Sequence, residues 1–190
     1  MSVKNCSSVQ QSLSWCEGQP VRPGIKKRAY YTSKSLIVKW PSRDLDDNGK
    51  PKNANLIGSF KLQENATWKH IDHLPAKAEF KSETQGEYPS QTQKNSATLV
   101  HPSVGVEATA ATAYLTNSDN VYLVEDAAGN FRVLGCEEYE TTTTVAQDNG
   151  QSPTGSAATT IAIEASDFVA SPFYYGEIVT EDGTINEADE

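Results

Sequence analysis

Residues 120–137, NVYLVEDAAGNFRVLGCE, set two β-rich runs, 121–124 and 131–134, on either side of Asp126-Ala127-Ala128-Gly129-Asn130. β-branched and aromatic side chains suit a pleated surface, and Asp, Gly and Asn tolerate the backbone angles of a tight reversal. The segment therefore predicts a β-hairpin. Just upstream, residues 104–115 hold the one convincing helix, with Ala108, Ala111 and Leu115 at helical spacing. Glu107 falls in its first turn, where a carboxylate suits the helix dipole. The rest reads as strand or loop. The expected fold is mainly β: a β-sandwich or barrel with one flanking α-helix at about 104–116 and long loops or arms.

Further strands are expected at 26–32, 57–62, 67–71, 91–100, 159–165 and 173–179. Residues 77–85 alternate, with Ala78, Phe80, Ser82 and Thr84 on one face and Lys77, Glu79, Lys81 and Glu83 on the other. That period of two marks a strand with one covered face and one wet face. Residues 34–40 fit either a strand or a short helix. Residues 41–55 read as a long charged loop around Asn48-Gly49, and 139–155 as a threonine- and glycine-rich loop. Three stretches follow: a polar arm at 1–20 with a helical turn at 9–15, one domain at 21–179 carrying the inserted loop 41–55, and an acidic tail at 180–190 that frays.

The chain has 190 residues and a net charge of −9, with a sequence pI of about 4.8 and a mean hydropathy of −0.55. The charge is unevenly placed. Residues 1–70 carry 12 Lys/Arg against 5 Asp/Glu, and residues 71–190 carry 4 against 20. An acidic body argues against direct nucleic-acid binding, which needs cations to displace counterions. The imbalance reads either as ordinary solubility charge or as basic and acidic faces that meet between copies. Three cysteines without CxxC spacing are not a disulfide framework, and the amino terminus lacks the apolar stretch of a signal peptide. No apolar run is long enough to span a membrane. A reduced, cytoplasmic site of synthesis is expected.

Chemistry is hard to find. His70-x-x-His73, with His101, has metal-like spacing, but no helix aligns the pair and no cysteines lie near. Asp44-x-Asp46-x-Asn48-Gly49 begins like a calcium loop, yet Asn55 stands where the bidentate glutamate belongs. There is no G-x-S-x-G, P-loop or dinucleotide fingerprint. Glu125-Asp126 and Glu137-Glu138 are adjacent on strands and point to opposite faces. No catalytic residue, cofactor or metal ligand is assigned. Trp15, Trp40 and Trp68 could form a sugar platform, though core or interface anchoring is the commoner use.

The element order resembles that of the tail tube, or major tail, proteins of long-tailed phages. The stretches that carry the likeness are IGSFKL (57–62), the polar hairpin FKSETQGEYPSQTQKNSATL (80–99), the alanine-rich helix, the 120–135 hairpin and SPFYYGEIV (171–179). PGIKKRAYYTSKSLIVKW (23–40) also resembles the openings of structural proteins from phages of gut Bacteroidota. The resemblance implies a non-enzymatic virion protein made in the host cytoplasm. Hexameric rings of the chain would stack into a tube with other tail proteins. DNA would pass through it without specific binding. By position, Arg43, Asp46, Asp47, Lys50 and Lys52 would contact a neighbouring ring. Glu79, Glu83 and Glu87 are candidates to face an acidic lumen. Two other classes fit the same features: a baseplate or capsid-decorating protein, and a monomeric β-sandwich that binds carbohydrate.

Overall fold

The computed structural model describes residues 11–47 and 49–186. In chain order the strands are β1 (Ile25–Ser33), β2 (Ile37–Lys39), β3 (Ser42–Leu45), β4 (Pro51–Ile57), β5 (Lys61–Leu62), β6 (Lys69–Asp72), β7 (Glu79–Gln85) and β8 (Thr92–His101). The helix α1 (Val106–Leu115) follows, then β9 (Asn120–Asp126), β10 (Phe131–Leu134), β11 (Thr141–Asp148) and β12 (Ala158–Asp167). The last strands are β13 (Phe173–Tyr174), β14 (Ile178–Thr180) and β15 (Gly183–Ile185).

A seven-stranded sheet, β3-β4-β13-β10-β9-β1-β6, packs on a four-stranded antiparallel sheet, β11-β12-β8-β7. Both sheets are open, so the fold is a sandwich and not a closed barrel. The core between them holds Ala29, Ile71, Tyr122, Val124 and Leu134 from the larger sheet and Ala97, Leu99, Ile161, Ile163 and Ala165 from the smaller. The other face of the larger sheet is covered too. There Tyr30, Val121, Leu123, Phe131, Val133 and Tyr174 meet Phe60, Trp68 and Ile178, backed by the small pairs β2–β5 and β14–β15. Cover on both faces explains why β9 reads as an unbroken apolar run: Val121, Tyr122, Leu123 and Val124 all have zero exposure. The turn after β10 needs Gly135, at φ +111. A Cβ there would sit 2.8 Å from Thr141 Oγ1.

The helix forms where the sequence places it. Ala108, Ala111 and Leu115 are buried, and the helix ends at Thr116, which is extended, followed by Asn117 in the left-handed region (φ 59). Other expectations are corrected. Residues 41–55 are not a plain loop but the hairpin β3–β4, closed by Asp46, whose N–H donates to the Lys50 carbonyl and whose Oδ1 accepts the Lys50 N–H (both 2.8 Å). Much of 139–155 is β11: Thr141 and Thr143 are buried while Thr142 and Thr144 are exposed. A threonine run alternates in burial without alternating in hydropathy, so no period shows. The 57–62 strand shrinks to β5, because Gly58 turns the chain at φ 88. The final 173–179 strand splits into β13 and β14, and the tail does not simply fray, since β14 pairs with β15 and Glu181 bonds Lys69. Residues 187–190 lie outside the described residues, as do 1–10 of the arm. The described arm, 11–20, contains a turn but no helix, so the helical turn expected at 9–15 is absent from 11–15.

Candidate assembly interface

The four-stranded sheet turns its apolar side chains inward, so alternation sends the others to solvent. Its outer face carries Thr142 and Thr144 from β11, Ala162 and Glu164 from β12, Lys94, Ser96 and Thr98 from β8, and Glu79, Lys81 and Glu83 from β7. Small hydroxyl and methyl groups fill the middle. Glu79 and Glu83 are exposed as the lumen expectation requires, but Lys81 lies between them, and Glu83 stands in register with Lys94. Lys94 Nζ bonds Glu164 Oε1 at 2.8 Å, and that bond raises the lysine's pKa. Two lysines against three carboxylates leave the face nearly charge-compensated. Glu87 lies apart from it, exposed in the β7–β8 turn.

Both edges of this sheet are long. β7 pairs only with β8, and β11 only with β12, among the described residues. Strand directions alternate across the sheet, so β7 and β11 run in opposite directions. Unpaired N–H and C=O groups along such an edge are a template for another strand.

The β3–β4 hairpin joins the larger sheet through a two-residue parallel ladder to β13, Phe173↔Asn55 and Tyr174↔Leu56. A buried ion pair adds a second tie. Arg43 Nη2 lies 2.7 Å from Oδ1 of Asp167, which is 1% exposed, and the guanidinium sits over the Phe168 ring. Burial raises the Asp167 carboxyl above its ordinary value, while Arg43 and the Phe168 N–H pull it down. Arg43 thus binds within its own chain. Asp44 takes the Asn53 amide at 2.7 Å and Lys52 at 3.8 Å, and Asp46 shapes the turn that holds Asp47. Lys50 and Lys52 remain exposed at the tip.

The charge imbalance between the two ends of the sequence is answered in part inside one chain. Lys26–Glu125, Arg28–Asp72, Lys34–Asp119, Arg43–Asp167 and Lys69–Glu181 each join a base before residue 71 to an acid after it.

The metal-like histidines do not converge, and no group of three potential ligands occurs among the described residues. His101 Nδ1 bonds the Asp72 carbonyl at 2.7 Å, His70 is exposed, and His73 is buried with neither ring nitrogen partnered. Trp68 is buried in the outer layer, and Trp40 packs edge-on against Phe60. Trp15 is 67% exposed on the arm, so the tryptophans form no common platform. A cavity of about 240 Å³ beside the β3–β4 hairpin is lined by Trp40, Arg43, Cys136 and Asp167. Burial pushes the Cys136 thiol up to about 11, and it donates to the Ser166 carbonyl at 3.3 Å. A protonated thiol and an ion-paired carboxylate do not form a nucleophile–base couple.

Sequence reasoning missed the β11 edge and the stacking of Arg132 on Phe173 at 4.1 Å. Only the β-branched run of threonines hinted at the first, and nothing local hinted at the second. No helix among the described residues is long and apolar enough to cross a membrane. Comparison of the chain with known protein families, curated proteins and solved structures finds no match.

Proposed function

We propose that this chain is a self-assembling structural subunit of a phage tail tube, forming stacked rings around a channel that conducts DNA. The observation that supports this most is the four-stranded sheet with a polar outer face and two long open edges of opposite direction. Placing β7 of one copy beside β11 of the next continues an antiparallel sheet without interruption. The contact is head-to-tail, so it closes into a ring when the rotation per copy allows.

Six copies, the number the family resemblance implies, would give a barrel of about 24 strands. At about 4.8 Å per strand its backbone diameter is about 37 Å before strand tilt widens it. After inward side chains are subtracted, that leaves room for a DNA duplex. The lining would be the Ser/Thr/Ala surface with nearly compensated charge, which offers phosphate no cationic patch to bind. The exposed tip of the β3–β4 hairpin, with Lys50 and Lys52, and the arm would reach a neighbouring ring. In the particle the partners are further copies and other tail proteins.

The test is direct. Sedimentation and negative-stain images of the purified chain over a range of concentrations should show rings or tubes with a central hole. A 20.6 kDa monomer at every concentration would sink the proposal.

A further inference from the structure

The two sheets are unequal in width. The core between them draws on β1, β6, β9 and β10, but on none of β13, β4 or β3. Those three strands overhang the smaller sheet on the side of β7. Tyr174 and Leu56 point into the outer layer, so Phe173, Asn55 and Ile57 point the other way, to where the smaller sheet is missing. Ile57 is 55% exposed and Tyr175 57%. The Phe173 and Tyr175 rings stack nearly parallel, 6.4 Å apart. Arg132 lies on Phe173 and 5.8 Å from the Phe80 ring of β7, so the stack begins at the open edge and ends on bare aromatic surface. Arg132 donates only to the carbonyls of Ser171 and Ala170, and no carboxylate pairs with it among the described residues.

A second uncovered apolar face lies beside the other open edge. The helix packs next to β11, with Thr109 bonded to Gln147. Its sequence, VEATAATAYL, has one charge, Glu107, and two threonines, Thr109 and Thr112, whose hydroxyls bond the carbonyls of Val104 and Thr109. Here Ala108, Ala111 and Leu115 are buried, while Val106, Ala110 and Ala113, at i, i+4 and i+7, are exposed.

We infer that the Val106/Ala110/Ala113 face of the helix in one copy docks on the Ile57/Phe173/Tyr175 overhang of the next. This rests on the head-to-tail ring, because joining β7 to β11 brings the overhang of one copy alongside the helix of the other. The faces are complementary. Small side chains let the helix backbone approach flat rings, and the single carboxylate of the helix comes to the side that holds Arg132, on which Asp126 acts by charge without a close ion pair. The strands supply an extendable ladder, and the helix and overhang supply the apolar contact that holds its register.

The test uses the full chain and four exposed positions. Ile57→Lys with Tyr175→Lys, and separately Ala110→Glu with Ala113→Glu, should each raise the concentration for ring formation by at least about tenfold, as expected for charges placed in an apolar contact. Circular dichroism should stay unchanged. Combining all four substitutions should restore assembly, because lysines would then face glutamates across the contact. Rings from either pair at the parent's concentration would overturn the docking but leave the ring reading standing. Loss without recovery in the combined chain would overturn the pairing of these two faces. A parent that stays monomeric would remove the ring and this contact together. If a variant fails to fold, hydroxyl-radical footprinting of the parent decides: Tyr175 protected in rings and reactive in dissociated protein supports the docking, and equal reactivity overturns it.

Discussion

Arg43 and Asp167 show how one side chain can hold an edge hairpin in place. Asp167 is buried on the end of the four-stranded sheet, and Arg43 comes from β3 at the rim of the other. Removing the guanidinium leaves the carboxylate without its cation. Arg43→Met should cost about 3 kcal/mol at pH 7, the usual result of breaking a buried pair. The cost should be smaller at pH 5 than at pH 7, because burial already raises the Asp167 carboxyl and loss of Arg43 removes a group that pulls it down, so the protonation that removes the unpaired charge moves toward neutral pH. Urea unfolding at the two pH values checks both the size and the trend. His73 gives a second residue-scale prediction. Its ring nitrogens are buried without partners, and burial lowers its pKa below 6.5. The unfolded chain therefore binds this proton more readily than the folded one. Stability is fully present above pH 6.5 and is lost as pH falls toward the folded value. His73→Phe should flatten that part of the pH–stability curve, and a variant with the parent's slope would contradict the assignment.

At the level of elements, α1 is held by close approach. Ala111→Leu should overpack its buried side and cost about 1–3 kcal/mol, read from thermal or denaturant unfolding. The position of this helix was legible because alanine, leucine and a first-turn glutamate point to one solution. The β9–β10 hairpin was legible for a similar reason, since Asp126-to-Asn130 turn chemistry sits between apolar runs. The β3–β4 hairpin and β11 were not. In β11 the covered residues are Thr141 and Thr143 and the uncovered ones Thr142 and Thr144, so burial alternates without any alternation in polarity, and in β3 the charged Arg43 and Asp44 are half-buried while Leu45 is exposed. The candidate interface was legible only in part. Glu79 and Glu83 were placed on the right strand face, but their neutralisation by Lys81 and Lys94 depends on strand pairing that no local pattern encodes. The same limit hid Arg43, whose partner lies 124 residues away in sequence.

For the whole molecule, the exposed lysines of the β3–β4 tip are predicted to act between rings and not within one. Lys50→Glu with Lys52→Glu should shorten tubes while leaving the subunit's unfolding curve within about 0.5 kcal/mol of the parent, because exposed charges contribute little singly. Added salt should shorten parent tubes as well, through screening. Tube lengths in negative-stain images measure both effects. The order of strands in the smaller sheet carries a different consequence, for timing. β12 lies between β11 and β8, yet it is the last of the four to leave the ribosome. Until residues 158–167 slot into place, β7–β8 is a lone hairpin and β11 has no partner. The two edges proposed to join copies then do not belong to one object. On the proposed ring reading, a chain that has not yet made β12 cannot be added to a growing polymer, and competence to polymerise arrives only once residues 158–167 are in place. Fragments ending before Ala158 should neither extend tubes nor poison their ends.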